Sequence, residues 1–155
     1  MVKIRIEDKI LEHLEGDLQE RALSVAAYLN ANDMTPHEWF GSDFWKVPYK
    51  DYYLCGIVVQ KDCLRFWFWK GVYAGSYDAT FIKATHDNVR PCITCGGECK
   101  GIDIVVFGKG FENTCFQFPI QFENPDEETM EHIKVLMEYC KGIVPPEDAW
   151  HARIA

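Results

Sequence analysis

The sharpest chemical pattern in the chain is Cys92-Ile93-Thr94-Cys95-Gly96-Gly97-Glu98-Cys99, with Cys115 further on. Zinc takes four ligands at tetrahedral corners, and thiolates fill them well. A Cys-x2-Cys pair sets two sulfurs on one tight turn. Glycine after the second cysteine tolerates positive φ and lets backbone N–H groups approach the sulfur. Gly96 and Gly97 stand there, Cys99 can complete a local three-sulfur claw, and Cys115 is the distant fourth ligand. The expected metal set is therefore Cys92, Cys95, Cys99 and Cys115, closing the middle of the domain around a structural zinc. Four thiolate ligands leave no open position for chemistry at the metal. Arg90, Lys100 and Lys109 are close enough in sequence to offset part of the negative charge. Two other readings stay open. The cysteines can be free or redox-active thiols, since paired thiols of lowered pKa exchange disulfides. However, Arg90-Pro91 before Cys92 and Gly96-Gly97 after Cys95 do not resemble the start of a helix, where such pairs usually sit. An iron–sulfur run of the bacterial ferredoxin type needs two residues between its second and third cysteines, and here there are three.

The second candidate feature is aromatic. Trp45, Tyr53, Trp67, Trp69, Tyr73 and Tyr77 can line a concave sheet face that takes a flat or apolar ligand. Arg65 shares the alternation of Trp67 and favours a pocket, because a buried guanidinium needs an anionic partner. Trp45, Tyr53, Arg65, Trp67 and Trp69 form the candidate ligand-binding set. The competing reading is plain core, since aromatic residues at strand spacing usually pack under covering helices. Catalytic motifs are missing: there is no P-loop, no G-x-G-x-x-G after a strand, no G-x-S-x-G and no H-E-x-x-H. No catalytic residue is assigned, and the balance leans away from an enzyme. His86 is the only histidine near the cysteines and fits a loop or surface role better than ligation. Asp126, Glu127 and Glu128 read as first-turn acids favoured by a helix dipole.

These residues must be held by one domain spanning residues 1–155, long enough for a proper core. The chain is 48% hydrophobic and 26% charged, a globular balance. Its net charge of −8 argues against nucleic acid, which needs a basic face. No secretory leader and no apolar run near about eighteen residues is visible, so a reducing cytoplasm is expected, with no membrane partner. Cys55, Cys63 and Cys140 lie in apolar patterns and read as core.

Apolar residues at helical spacing predict two N-terminal helices, one carrying Ile6, Ile10 and Leu14, the next Leu18, Ala22, Val25 and Leu29. Thr35-Pro36-His37-Glu38 has the form of a capping box, predicting a short helical turn through Trp39 and Phe40. From Phe44 the period becomes two. Strands are expected over Phe44 to Lys50, Tyr53 to Gln60 and Cys63 to Lys70, the last two joined by the tight turn Lys61-Asp62 and therefore antiparallel. Leu64, Phe66 and Phe68 share one face; Cys63, Arg65, Trp67 and Trp69 share the other, and neither is an ordinary wet face. Residues 71–90 read mostly as loop, with a short element near Phe81 and Ile82. Ile102 to Phe107 and Phe116 to Phe122 are expected to pair as a second β unit. Asn124-Pro125-Asp126-Glu127 predicts a helix start, Gly142 its end, and Trp150 belongs to a tail able to fold back. The fold class is thus α+β: an antiparallel sheet of about five strands with N-terminal and C-terminal helices packed on one side.

This order of elements resembles the small bacterial YdhG-like domains. The residues that carry the likeness are Trp45-Lys46-Val47-Pro48-Tyr49, Phe107-Gly108-Lys109 with Phe111, and Phe122-Glu123-Asn124-Pro125-Asp126-Glu127-Glu128 entering the last helix. It covers roughly residues 35–142. The resemblance implies a domain without assigned catalytic residues and raises an iron-chaperone-like role; the cysteine cluster departs from that pattern. The functional expectation is a cytosolic module with a four-cysteine structural zinc site that binds a small molecule or a protein partner, with metal handling or thiol redox chemistry as the alternative.

Overall fold

Ile6, Ile10 and Leu14 repeat at helical spacing; the first helix, α1 (Ile6–His13), buries Ile6 and Ile10, Leu14 is buried just past its end, and Gly16, at φ +60°, turns the chain into α2 (Gly16–Ala31). The computed structural model describes residues 3–39, 41, 43–93, 100–149 and 152–154. Strands β1 (His37–Glu38), β2 (Phe44–Tyr49), β3 (Tyr52–Gln60) and β4 (Cys63–Phe68) follow, then α3 (Ala79–Asp87), β5 (Ile102–Val106), β6 (Lys109–Thr114), β7 (Ile120–Glu123) and α4 (Glu127–Cys140). Five strands form one antiparallel sheet in the order β1-β2-β3-β4-β7, and β5 and β6 form a separate hairpin. No helix among the described residues is long and apolar enough to cross a membrane.

Alternation along β4 decides which way the sheet looks. Leu64, Phe66 and Phe68 are buried with Ile6, Ile10, Val25 and Leu29 of α1 and α2 and with Ile133 and Leu136 of α4. Each such side chain contributes roughly 1.5–3 kcal/mol by leaving water. Cys63, Arg65 and Trp67 must then face the other way, because successive side chains of a strand alternate. Register carries this outer face sideways. Trp67 stands opposite Gly56 and Gln121, and Arg65 opposite Val58 and Glu123.

Residues 88–92 stitch the sheet to the β5–β6 hairpin. Val89 pairs with Ile120 and Pro91 with Thr114. Arg90 donates its N–H to the Pro119 carbonyl (2.8 Å), and Cys92 to the Asn113 carbonyl (2.8 Å). The C-terminal segment returns to the sheet: Ala149 and Ala152 are buried beside Trp69, and Arg153 bridges to Tyr52. Trp150 lies outside the described residues.

Several local expectations are corrected. His37 and Glu38 are not a helical turn; they pair with Lys46 and Trp45 as the edge strand β1. A helical turn of that length satisfies few of its own backbone groups, whereas the edge of β2 offers a ladder. The partner of β5 is β6, not residues 116–122. Phe107 (φ 45°) and Gly108 (φ 84°) form a two-residue turn with both central φ positive, the geometry that matches strand twist. β7 joins β4 instead. The cap of α4 is Asp126, whose Oδ1 accepts from the Thr129 N–H at 2.8 Å. Asn124 instead exchanges two hydrogen bonds with the Leu64 backbone, both 2.7 Å. The element near Phe81 is a full helix, capped by Asp78 accepting from Thr80 N–H at 2.9 Å.

Candidate functional site on the outer sheet face

The outer face of β4 and β7 opens into a cavity of about 650 Å³, whose lining includes Arg65, Trp67, Arg90, Cys92, Cys115 and Phe118. Strand alternation places Arg65 and Trp67 there. Arg90 arrives because Val89 pairs with Ile120 toward the core, which turns the next residue outward. Cys92, two residues on, shares that side. Cys115 donates its N–H to the Arg90 carbonyl (3.0 Å) and lies diagonally from Cys92 across the ribbon, on the same side.

The cavity is mainly apolar with a few fixed charges. Arg65 is committed: its Nη2 and Nε lie 3.1 and 3.3 Å from Glu123 Oε1. That guanidinium holds the Glu123 carboxyl below its usual range. Cys63 donates its thiol to the same oxygen at 3.7 Å, and burial raises the Cys63 pKa. Arg90 is held differently, by its Nε donating to the Gln121 carbonyl at 3.2 Å. The Phe118 ring packs against both Trp67 and Trp69, with centroids 4.8 Å from each. The indole Nε1 of Trp67 is buried and has no acceptor among the described residues.

The aromatic candidates divide into four groups. Trp67 lines the cavity with Arg65. Tyr53 and Trp69 instead surround Lys46, whose Nζ lies 3.9 Å from the centre of the Trp39 ring, 4.7 Å from Tyr53 and 5.7 Å from Trp69. Lys46 is only 7% exposed, and burial pushes its pKa down to about 8. Trp45 stands opposite Ile57 on the helix-covered side and belongs to the core. Tyr73 and Tyr77 cluster with Phe107 and Tyr139, away from the cavity lining. Arg90 and Phe118 were not among the sequence candidates. Arg90 borders Cys92 in the chain, but only the pairing of residues 88–92 with β7 shows its direction.

The metal candidates are partly described. Cys92 and Cys115 both line the cavity, while Cys95 and Cys99 lie outside the described residues. Among the described residues no three His, Cys, Asp or Glu side chains are grouped to hold a metal ion. The chain nevertheless comes back to Cys92 at Gly101. A Cβ there would meet the Cys92 Cβ at 2.9 Å and Asn113 Oδ1 at 2.0 Å, so only glycine fits. His86 is engaged elsewhere, with Nε2 2.6 Å from the Val106 carbonyl, tying α3 to β5. No family model matches the chain, and none of the curated proteins or solved structures compared with it matches.

Proposed function

We propose that this chain is a small-ligand-binding module whose pocket is the outer-face cavity, with a four-thiolate zinc site of Cys92, Cys95, Cys99 and Cys115 at the pocket rim. The observation that carries the reading is the shared lining: an aromatic wall of Trp67 and Phe118, two guanidiniums and two cysteines around about 650 Å³. Ligand pockets typically enclose roughly 300–1,000 Å³ of mostly apolar surface with a few placed polar groups.

The zinc part rests on connectivity. Diagonal neighbours on one face of an antiparallel ribbon have Cβ atoms within roughly 7 Å, a gap that two sulfurs leaning toward one ion at about 2.3 Å can close. Cys95 follows Cys92 by three residues, and Cys99 precedes Gly101 by two. Gly101 lies against Cys92, so the described chain on either side of Cys95 and Cys99 meets at one place. A reducing cytosol, where thiols stay available as ligands, suits this chemistry.

Elemental analysis of purified protein tests the rim, and tryptophan quenching by a panel of aromatic and apolar compounds tests the pocket. The expected results are close to one zinc per chain and saturable quenching. Protein without zinc sinks the first part; no quenching across the panel sinks the second. Metal that exchanges readily without loss of fold points instead to metal handling, the role the YdhG-like resemblance raises. A Cys92–Cys95 disulfide that cycles under mild reductant points to thiol redox chemistry.

A further inference from the structure

We propose that the outer-face cavity selects a flat apolar carboxylate, held by Arg90 against the rings of Trp67 and Phe118. This rests on the pocket reading above and adds the charge and shape of the ligand.

The first observation is charge. The chain carries a net −8, yet among the described residues the cavity is lined by two arginines and a single carboxylate, Glu123. The second is how those charges are used. Glu123 is already engaged by Arg65, through two guanidinium nitrogens. Arg90 donates its Nε to the Gln121 carbonyl and forms no ion pair among the described residues; its charge reaches Glu123 only at longer range, adding to the pull of Arg65 on that carboxyl. A half-buried guanidinium beside apolar walls, whose one neighbouring carboxylate is already bonded to another guanidinium, gains from a second anion. Its planar fork matches a carboxylate in a two-bond geometry that an ammonium cannot copy. The anchoring bond at Nε also fixes the plane of the group in advance, so little freedom remains to be lost on binding. The third observation is shape. Phe118 and Trp67 present ring surfaces beside Arg90, and aromatic walls of this kind favour an offset-stacked or edge-on flat ligand.

The competing role for Arg90 is to neutralise the thiolates at the rim, because it directly precedes Pro91 and Cys92. The two roles separate experimentally. Calorimetric titration of the full chain with naphthoate and with naphthamide compares a carboxylate with a neutral molecule of the same shape. Naphthoate is expected to bind at least tenfold more tightly, a difference of about 1.4 kcal/mol. Arg90→Gln should bring the ratio near one by weakening naphthoate alone, Arg90→Lys should keep part of it, and Trp67→Ala should weaken both compounds. Equal affinity of the two compounds for the unmodified protein overturns the carboxylate assignment and leaves the pocket standing. Binding of neither compound removes the pocket itself. If Arg90→Gln keeps the preference and loses zinc, Arg90 serves the thiolates and the proposal is wrong. If Arg90→Gln fails to fold, the ratio measured with Arg90→Lys decides: an unchanged preference counts against the two-bond clamp and a reduced one supports it.

Discussion

Cys92 and Cys115 lie diagonally across one ribbon, with Cys92 bonded through its N–H to Asn113, Cys115 through its N–H to Arg90, and both on the side that lines the cavity. A shared ion would tie the segment after α3 to the end of β6. Metal binding then becomes folding free energy, because the unfolded chain has no preformed site. Cys92→Ser and Cys115→Ser should each lower zinc content well below one per chain and depress Tm by about 5 °C or more. Cys55→Ala is the control: Cys55 is fully buried on the helix side, and its replacement should leave zinc content unchanged. Full zinc retention in Cys115→Ser removes that residue from the site.

Lys46 makes the sheet sensitive to pH. Burial lowers its folded pKa from 10.5 to about 8. Between those values the unfolded chain holds the proton and the folded chain has lost it, so unfolding becomes harder as pH rises across that window. The gain over the window is about 2 kcal/mol, allowing for the favourable contact of the ammonium with the Trp39 ring. Urea midpoints at pH 7.5 and 9.5 should therefore rise with pH in the natural protein and stay flatter in Lys46→Met. Parallel pH profiles for the two proteins contradict this.

Local pattern reached some of this architecture and stopped where long-range pairing decides. The β3–β4 hairpin was readable because alternation is local and Lys61-Asp62 marks the turn; Asp62 sits at φ 56°. The same alternation put Arg65 and Trp67 on one face. It could not place Trp45, whose direction depends on which β3 residue stands opposite, and Ile57 does. Trp69 lies just beyond the end of β4, so its side chain follows the Tyr53 carbonyl, to which its Nε1 donates at 2.9 Å, and the packing of Ala149. The Phe107-Gly108 turn was hidden because its first residue, a phenylalanine at positive φ, looks like strand. Arg90 enters the cavity through pairing with a strand about thirty residues away, which no local period records.

The entry to α4 gives Asp126 the capping role that the sequence pattern assigned to Asn124. Asp126 caps the helix, and its carboxyl is held below the usual range first by the Thr129 backbone N–H. Asn124 sits at φ 45° and clamps Leu64 of β4. Asp126→Ala should cost about 1 kcal/mol, the usual loss of a cap, without disturbing the sheet. Asn124→Ala removes the acceptor for the Leu64 N–H and adds backbone strain at positive φ, so it should cost about 2 kcal/mol. Amide exchange distinguishes them: Asn124→Ala should raise exchange at Leu64, and Asp126→Ala should raise it at Thr129. Equal effects at both amides in either variant would show that the two residues act as one unit.

Lys70 and Asp148 hold the C-terminal segment against the sheet. Lys70 is 7% exposed; its Nζ lies 2.5 Å from Asp148 Oδ2 and 3.4 Å from the centre of the Phe116 ring. The carboxylate is solvated, but the ammonium is not, so losing the partner leaves a buried charge answered, among the described residues, by the Phe116 ring. Lys70 keeps the Asp148 pKa below its ordinary 3.8. A depressed folded pKa contributes stability that is present above the unfolded value and disappears as pH falls through the folded one. The Ala149 and Ala152 amides, bonded to the Pro146 and Ala149 carbonyls, report the docking of this segment. Asp148→Asn at pH 7 should speed their exchange by roughly tenfold relative to the natural protein, while core amides such as Phe66 stay protected. Lowering the natural protein to pH 3 should move the same amides in the same direction once intrinsic exchange is corrected for. If Asp148→Asn leaves both amides as protected as before, the apolar packing of Ala149 and Ala152 under Trp69 holds the segment without the ion pair.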